Sequence, residues 1–137
     1  MPQEFERKEV YSTDHILSLL PNRGDLTAKE FKKFKLNIDG DMMKMTSDRY
    51  YTFAKSLHCD CCGIVGKLFA KERDKYVSKR LNNDGKYHFN LYGIDDKSNE
   101  VLMTKDHIVP KSKGGKDTLL NYTTMCKPCN SKKGNKL

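Results

Sequence analysis

The chain has 137 residues, of which 36% are hydrophobic and 32% charged, with a net charge of +8. This length fits one domain or a domain with an appendage, and the lean apolar content leaves a modest core that extra cross-links would help. No apolar run approaches a membrane span and no charged-then-apolar leader opens the chain, so the composition points to a soluble, cytoplasmic protein rather than a membrane protein.

Residues 1–57 read as a small, mainly helical region of unassigned role. Thr27 with Glu30 has the form of a capping box ahead of Phe31 and Phe34. Ser47 or Asp48 can start a second helix through Tyr50, Tyr51, Phe53 and Ala54. Pro21, Gly24 and Gly40 interrupt. The aromatic spacing favours core packing over base stacking. No catalytic constellation is visible in this part.

From Cys59 the character changes. Residues 67–71 form a plausible short strand. Asn82-Asn83-Asp84-Gly85 is a turn signal, after which Tyr87, Phe89 and Leu91 alternate with polar positions. Residues 95–99 read as a second turn and residues 101–108 as a strand. Residues 111–116 contain Gly114-Gly115 and are predicted to form an exposed loop. Residues 119–125 return as a strand. Residues 126–136 read as a short helix, in which Pro128 is tolerable only in the first turn, where its missing N–H is not needed.

The charge is unevenly spread. Residues 1–58 carry 10 basic and 9 acidic groups, residues 59–100 carry 8 and 7, and residues 101–137 carry 8 and 2. The excess is all lysine and sits in the last quarter. Such a field raises the encounter rate with a polyanion, although a solvated lysine-rich tail has the same composition.

The five cysteines are Cys59, Cys61, Cys62, Cys126 and Cys129. An odd count with two C-x-x-C pairs argues against a disulfide framework and for thiolates on a metal. Cys59 with Cys62 and Cys126 with Cys129 supply a four-thiolate structural zinc site, and Gly63 suits the tight turn after the first pair. The site would tie the start of a domain over residues 58–137 to its end. By analogy with a disulfide, closing so long a loop removes about 4 kcal/mol of unfolded-state entropy. Cys61 is left over, and His58 or Cys61 can substitute in a distorted site. The plain alternative is five reduced, buried cysteines.

Between the cysteine pairs and the end lies a second group. Hydrolysis of a phosphodiester needs an activated water, neutralisation of developing charge and stabilisation of the leaving oxygen. His107 can take a proton from water near neutral pH. Asp106 and Asn130 offer hard oxygen donors that suit Mg²⁺ or Mn²⁺. On a regular strand Asp106 and His107 point to opposite faces, so both serve one site only if the strand ends there. The amide of Asn121 can bond backbone across the loop and so position the imidazole. Lys133 falls one helical turn after Asn130, within reach of a phosphate, with Lys111, Lys113 and Lys132 as further phosphate contacts. Each residue alone has a plain reading as a surface pair, turn former or solvated lysine; the joint pattern carries the weight.

Residues 106–133 (DHIVPKSKGG, then LLNYTTMCKPCNSKK) resemble the ββα-metal motif of the HNH endonuclease family. The flanking C-x-x-C pairs resemble its zinc-bearing branch, so the resemblance covers about residues 58–137. It implies an α+β fold with a ββα-metal core stapled by a four-cysteine zinc site. It implies a DNA endonuclease working by one-metal hydrolysis. His107 would activate water, Asp106 and Asn130 would hold Mg²⁺ or Mn²⁺, and Asn121 would position His107. Asn130 stands where many members carry histidine, which tilts the preference toward a hard cation. The implied products have 5′-phosphate and 3′-hydroxyl ends. One such site cuts one strand, which leaves open a homodimer or a larger DNA-processing partner. Stand-alone proteins of this size resemble phage-borne or mobile-element nucleases. The competing reading is a non-catalytic, zinc-stapled nucleic-acid-binding module or accessory subunit.

Overall fold

The strand His88–Ile94, buried from Phe89 through Gly93, lies at the middle of a five-stranded antiparallel sheet. The computed structural model describes residues 4–74 and 86–133. In chain order these form β1 (Phe5–Ser12), α1 (Thr13–Ser18), α2 (Ala28–Lys33), β2 (Lys35–Ile38), β3 (Asp41–Lys44), α3 (Asp48–Lys55), β4 (Gly66–Asp74), β5 (His88–Ile94), β6 (Glu100–His107), β7 (Tyr122–Cys126) and α4 (Lys127–Lys133). The sheet order is β1-β4-β5-β6-β7, and β2 and β3 form a separate hairpin. Among the described residues no helix is long and apolar enough to cross a membrane.

The N-terminal part departs from the mainly helical expectation. It holds three short helices, but β1 is an edge strand of the main sheet, paired to β4 from Phe5↔Asp74 to Ser12↔Leu68. Its sequence, FERKEVYS, is almost wholly exposed and lacks an apolar period, so no strand signal reaches the eye. Partners more than sixty residues away hold it instead. Arg7 donates to Glu72 at 2.7 Å, and Arg73 donates to Glu6 at 2.9 Å. The β2–β3 hairpin turns on Asp39 and Gly40, both at positive φ (51° and 94°), the backbone that a tight two-residue hairpin requires. Asn37 Oδ1 accepts from the Gly40 N–H and closes the turn.

Other expectations hold with small shifts. The Thr27–Glu30 capping box is present, and Ser47 caps α3. The strand expected at 119–125 starts at Tyr122, because Leu119–Asn121 forms a 3-10 turn. Asp95 closes the predicted 95–99 turn by accepting from the N–H groups of Lys97 and Asn99. The turn signal at 82–85 and the helix end beyond residue 133 lie outside the described residues.

One cluster of buried side chains spans the chain. Ile16, Met43, Met45, Tyr50 and Phe53 pack with Phe69, Phe89, Leu91, Met103 and Met125. Close by, buried Glu72 accepts from Arg7, from Asn90 Nδ2 at 2.8 Å and from Tyr92 OH at 2.6 Å, so its charge is paired rather than stranded. The residues before Cys59 therefore help to form the platform on which the C-terminal strands lie.

Candidate functional site

Two sites sit at the two ends of β7. At its C-terminal end the two C-x-x-C segments meet. The first is a tight knuckle. Gly63, at φ +80°, donates to the Cys59 carbonyl at 3.0 Å, and the N–H groups of Cys61 and Cys62 point at Cys59 Sγ at 3.4 and 3.5 Å. The Asp60 N–H donates to the Thr124 carbonyl at 2.9 Å and docks the knuckle on β7. Cys126 ends β7, and Cys129 lies in the first turn of α4.

The Sγ atoms of Cys59, Cys62, Cys126 and Cys129 all lie within 4.8 Å of one another, and those of Cys62 and Cys126 are 3.7 Å apart. A tetrahedron with metal–sulfur bonds of about 2.3 Å has an edge of about 3.8 Å, so this donor set fits a zinc-sized dication. Burial works against ionisation of Cys59, but the N–H groups of Cys62, Cys126 and Cys61 bring its thiol down to about 6. Hydrogen bonding to Cys126, followed by burial, pushes the Cys129 thiol up, and burial does the same at Cys126. Cys126 and Cys129 thus resist carrying charge beside Cys59, and a dication would remove that conflict. Cys61 is exposed and is not one of the four clustered sulfurs, although its side chain reaches Cys129.

The second site lies where β6 ends. Thr104 and Asp106 share one face of β6 by the two-residue period, and α4 covers that face. Asn130 Nδ2 donates to Thr104 Oγ1 at 2.9 Å, while the Thr104 hydroxyl donates to the Met125 carbonyl at 2.7 Å. With its hydrogen so committed, the hydroxyl can only accept from Asn130. That sets the orientation of the amide and leaves Asn130 Oδ1 as the atom available to a cation. One helical turn on, Lys133 Nζ lies 3.0 Å from Asp106 Oδ2 and 2.6 Å from the His107 carbonyl. Lys133, expected to meet phosphate, is paired with Asp106 here, and both side chains are only 18% exposed.

His107 is the last residue of β6. Its ring meets Tyr122 edge-on, with centroids 5.1 Å apart, and its Nε2 lies 2.7 Å from Asp117 Oδ1. Asn130 and Lys133, one turn apart on α4, thus reach Thr104 and Asp106 on one face of β6, while the imidazole of His107, next along the regular strand, faces the loop on the other. Lys133 bridges the two groups through the Asp106 side chain and the His107 backbone. Asp117 also receives Lys111 Nζ at 3.0 Å, so Lys111 is already paired, whereas Lys113 and Lys132 are exposed. His107, followed by Lys111, holds the Asp117 carboxyl below its ordinary range.

The loop itself is pinned by Asn121. Its Oδ1 accepts from the Val109 N–H at 2.9 Å, and its Nδ2 donates to the carbonyls of Val109 at 3.0 Å and Lys116 at 2.9 Å. The Asn121 carbonyl also accepts from the Ile108 N–H at 2.8 Å. Gly115 is required there, since a Cβ would stand 1.8 Å from the Val109 carbonyl oxygen. From the N-terminal part, Lys55 Nζ donates to the carbonyls of Leu119 and Tyr122 at 2.7 and 2.9 Å. Asn121→Ala is expected to lower stability by about 1–3 kcal/mol and to lower activity further by freeing the residues after His107. Chemical unfolding measured beside turnover checks this; activity unchanged in the folded variant would contradict it.

Asp117, Thr104 and Lys55 are absent from the sequence-based site. Asp117 carried a signal, as one of the 2 acidic groups among the 8 basic ones of residues 101–137. Thr104 and Lys55 carried none, because their partners are set by the fold.

Residues 94–137 match the sequence model of a family described as HNH endonuclease. Comparisons with curated proteins and with solved structures found no match.

Proposed function

From the premise that residues 94–137 form an HNH endonuclease domain, we propose that the chain is a metal-dependent DNA endonuclease that hydrolyses phosphodiester bonds at the end of β6. The observation that supports this most is that α4 lays Asn130 and Lys133 on the face of β6 that carries Thr104 and Asp106. The Lys133 ammonium on Asp106 marks a place that accepts positive charge, and the bond to Thr104 leaves Asn130 Oδ1 free of that contact on the same face. Oxygen donors of this kind suit Mg²⁺ or Mn²⁺, whereas the four thiolates suit zinc.

In this reading His107 takes the proton from the attacking water. Asp117 accepts from the Nε2 hydrogen, which leaves Nδ1 as the basic nitrogen and holds the ring in one tautomer. Asn121 keeps the loop closed so that the imidazole stays at the strand end. Asp106 and Asn130 would hold the cation, which would supply charge neutralisation during phosphodiester hydrolysis. Lys133 moves from Asp106 to a phosphate. Lys113 and Lys132, with Lys111 beside them, attract the DNA backbone. The zinc cluster fixes α4 to β7 and thereby places Asn130 and Lys133.

Incubating the full chain with supercoiled plasmid and Mg²⁺ or Mn²⁺ tests the activity. Nicked circles support it. Retarded but uncut plasmid would favour a nucleic-acid-binding module without chemistry. The displacement of Lys133 has its own test: Lys133→Met should lower the Mn²⁺ concentration needed for half-maximal cleavage several-fold and weaken DNA binding. An unchanged Mn²⁺ requirement would show that Lys133 and the cation do not compete.

A further inference from the structure

The pairing of β6 changes partner along its length. Residues Glu100, Val101 and Leu102 pair with β5, and residues from Met103 to His107 pair with β7. Where the sheet divides, a cavity of about 380 Å³ lies between β5, β6 and the start of α3. Its walls include Ser47, Arg49, His88, Asn90, Lys105 and Lys127, with no carboxylate among the described lining residues.

Arg49 is the anomaly. Its Nη2 donates to the Phe89 carbonyl at 3.2 Å and to Asn90 Oδ1 at 3.0 Å. The guanidinium lies 5.8 Å from the Tyr50 ring and 5.7 Å from the Phe53 ring. Burial presses its pKa down, and no carboxylate is among the groups acting on it. The half-buried guanidinium has only neutral hydrogen-bond partners among the described residues, where a buried cation is normally paired with a charge. No hydrogen bond to a described residue occupies its Nε and Nη1. The other basic groups add to the field. Lys127 is exposed, and Lys105 rests its ammonium 4.0 Å from the Tyr122 ring centroid. Burial, followed by the charge of Arg49, keeps His88 below its usual range.

We propose that this cavity binds a phosphate group, with Arg49 as its direct ligand and Lys127 and Lys105 supplying charge. Thr104, which receives the Asn130 amide, also lies on the cavity wall, so the phosphate belongs to the same polynucleotide as the scissile bond. That assignment rests on the nuclease reading; the anion site itself does not. The phosphate is either an internal phosphodiester or a terminal 5′-phosphate. Arg49 lies outside the segment that matches the HNH family, so the direct ligand comes from the N-terminal part, while Lys105 and Lys127 come from the matched segment.

The test uses the zinc-loaded full chain with no other metal added. The Arg49 Nε–H resonance, identified by its loss in Arg49→Lys, is followed by NMR. The titrants are inorganic phosphate and a short duplex with either 5′-hydroxyl or 5′-phosphate ends. A saturable shift is expected with phosphate and with duplex. Arg49→Lys and Lys127→Ala should each weaken duplex binding about tenfold, with zinc content and melting temperature unchanged. A response requiring the 5′-phosphate identifies a terminal group; equal responses identify an internal phosphodiester. A resonance unmoved by every titrant, or wild-type affinity in Lys127→Ala and in folded Arg49→Lys, overturns the proposal. If Arg49→Lys does not fold, exposed Lys127 carries the test. Cleavage is not read here, so failure to nick plasmid and failure to bind phosphate remain separate results.

Discussion

Replacing His107 with alanine is expected to lower the cleavage rate by about a hundred- to ten-thousand-fold, while zinc content, melting temperature and duplex affinity stay near wild type. The ring packs edge-on to Tyr122 and bonds Asp117 at the exposed end of β6, so its removal opens space at the surface rather than in the core. The neighbouring backbone is held by other atoms. Lys133 reaches the His107 carbonyl, and Asn121 takes the N–H groups of Ile108 and Val109. The expected loss is therefore one of turnover and not of structure. Single-turnover cleavage of a labelled duplex, run beside thermal melting, measures both. A folded His107→Ala protein that cuts at the wild-type rate would remove His107 from the chemistry.

Cys126→Ser is expected to act in the opposite order, on the fold first. Cys126 is almost fully buried at the junction of β7 and α4 and contributes one of the four clustered sulfurs. Losing it should release zinc and cost about 4 kcal/mol or more, because the loop between the two cysteine pairs is no longer closed. Helix α4 would lose its anchor, and with it the placement of Asn130 over Thr104 and of Lys133 over Asp106. Zinc content by elemental analysis and stability by chemical unfolding check this. Cys61→Ser is the matched control: Cys61 is exposed and is not one of the four clustered sulfurs, so neither quantity should move. Equal zinc in wild type and Cys126→Ser would contradict a four-sulfur structural site.

What the sequence made legible follows from how locally each feature is encoded. The two C-x-x-C pairs announce a metal cluster because each pair is a local turn, and the structure then brings the pairs together across 64 positions between Cys62 and Cys126. The capping box at Thr27 and the cap at Ser47 are local and were readable. Strand β1 was not. Its residues are mostly exposed, and its stability comes from Arg7, Glu72 and Glu100 meeting across the sheet, which no neighbouring residue encodes. Asp106 and Asn130 were readable as oxygen donors from their types and spacing. The ion pair that places Lys133 on Asp106 was not, because it depends on which face of β6 is covered by α4. Nothing local marks Arg49, and only the division of the sheet places it on a cavity whose described lining holds no carboxylate.

The central claim is that Asp106 and Asn130 hold one hard cation beside His107 at a scissile phosphate. A crystal structure of His107→Ala with duplex DNA and Mn²⁺, read by anomalous scattering, addresses it most directly. The account predicts one manganese peak bounded by the Asp106 carboxylate, Asn130 Oδ1 and a phosphate oxygen, with Lys133 moved away from Asp106. Manganese bound elsewhere, with Lys133 still on Asp106 and DNA in the complex, would contradict it.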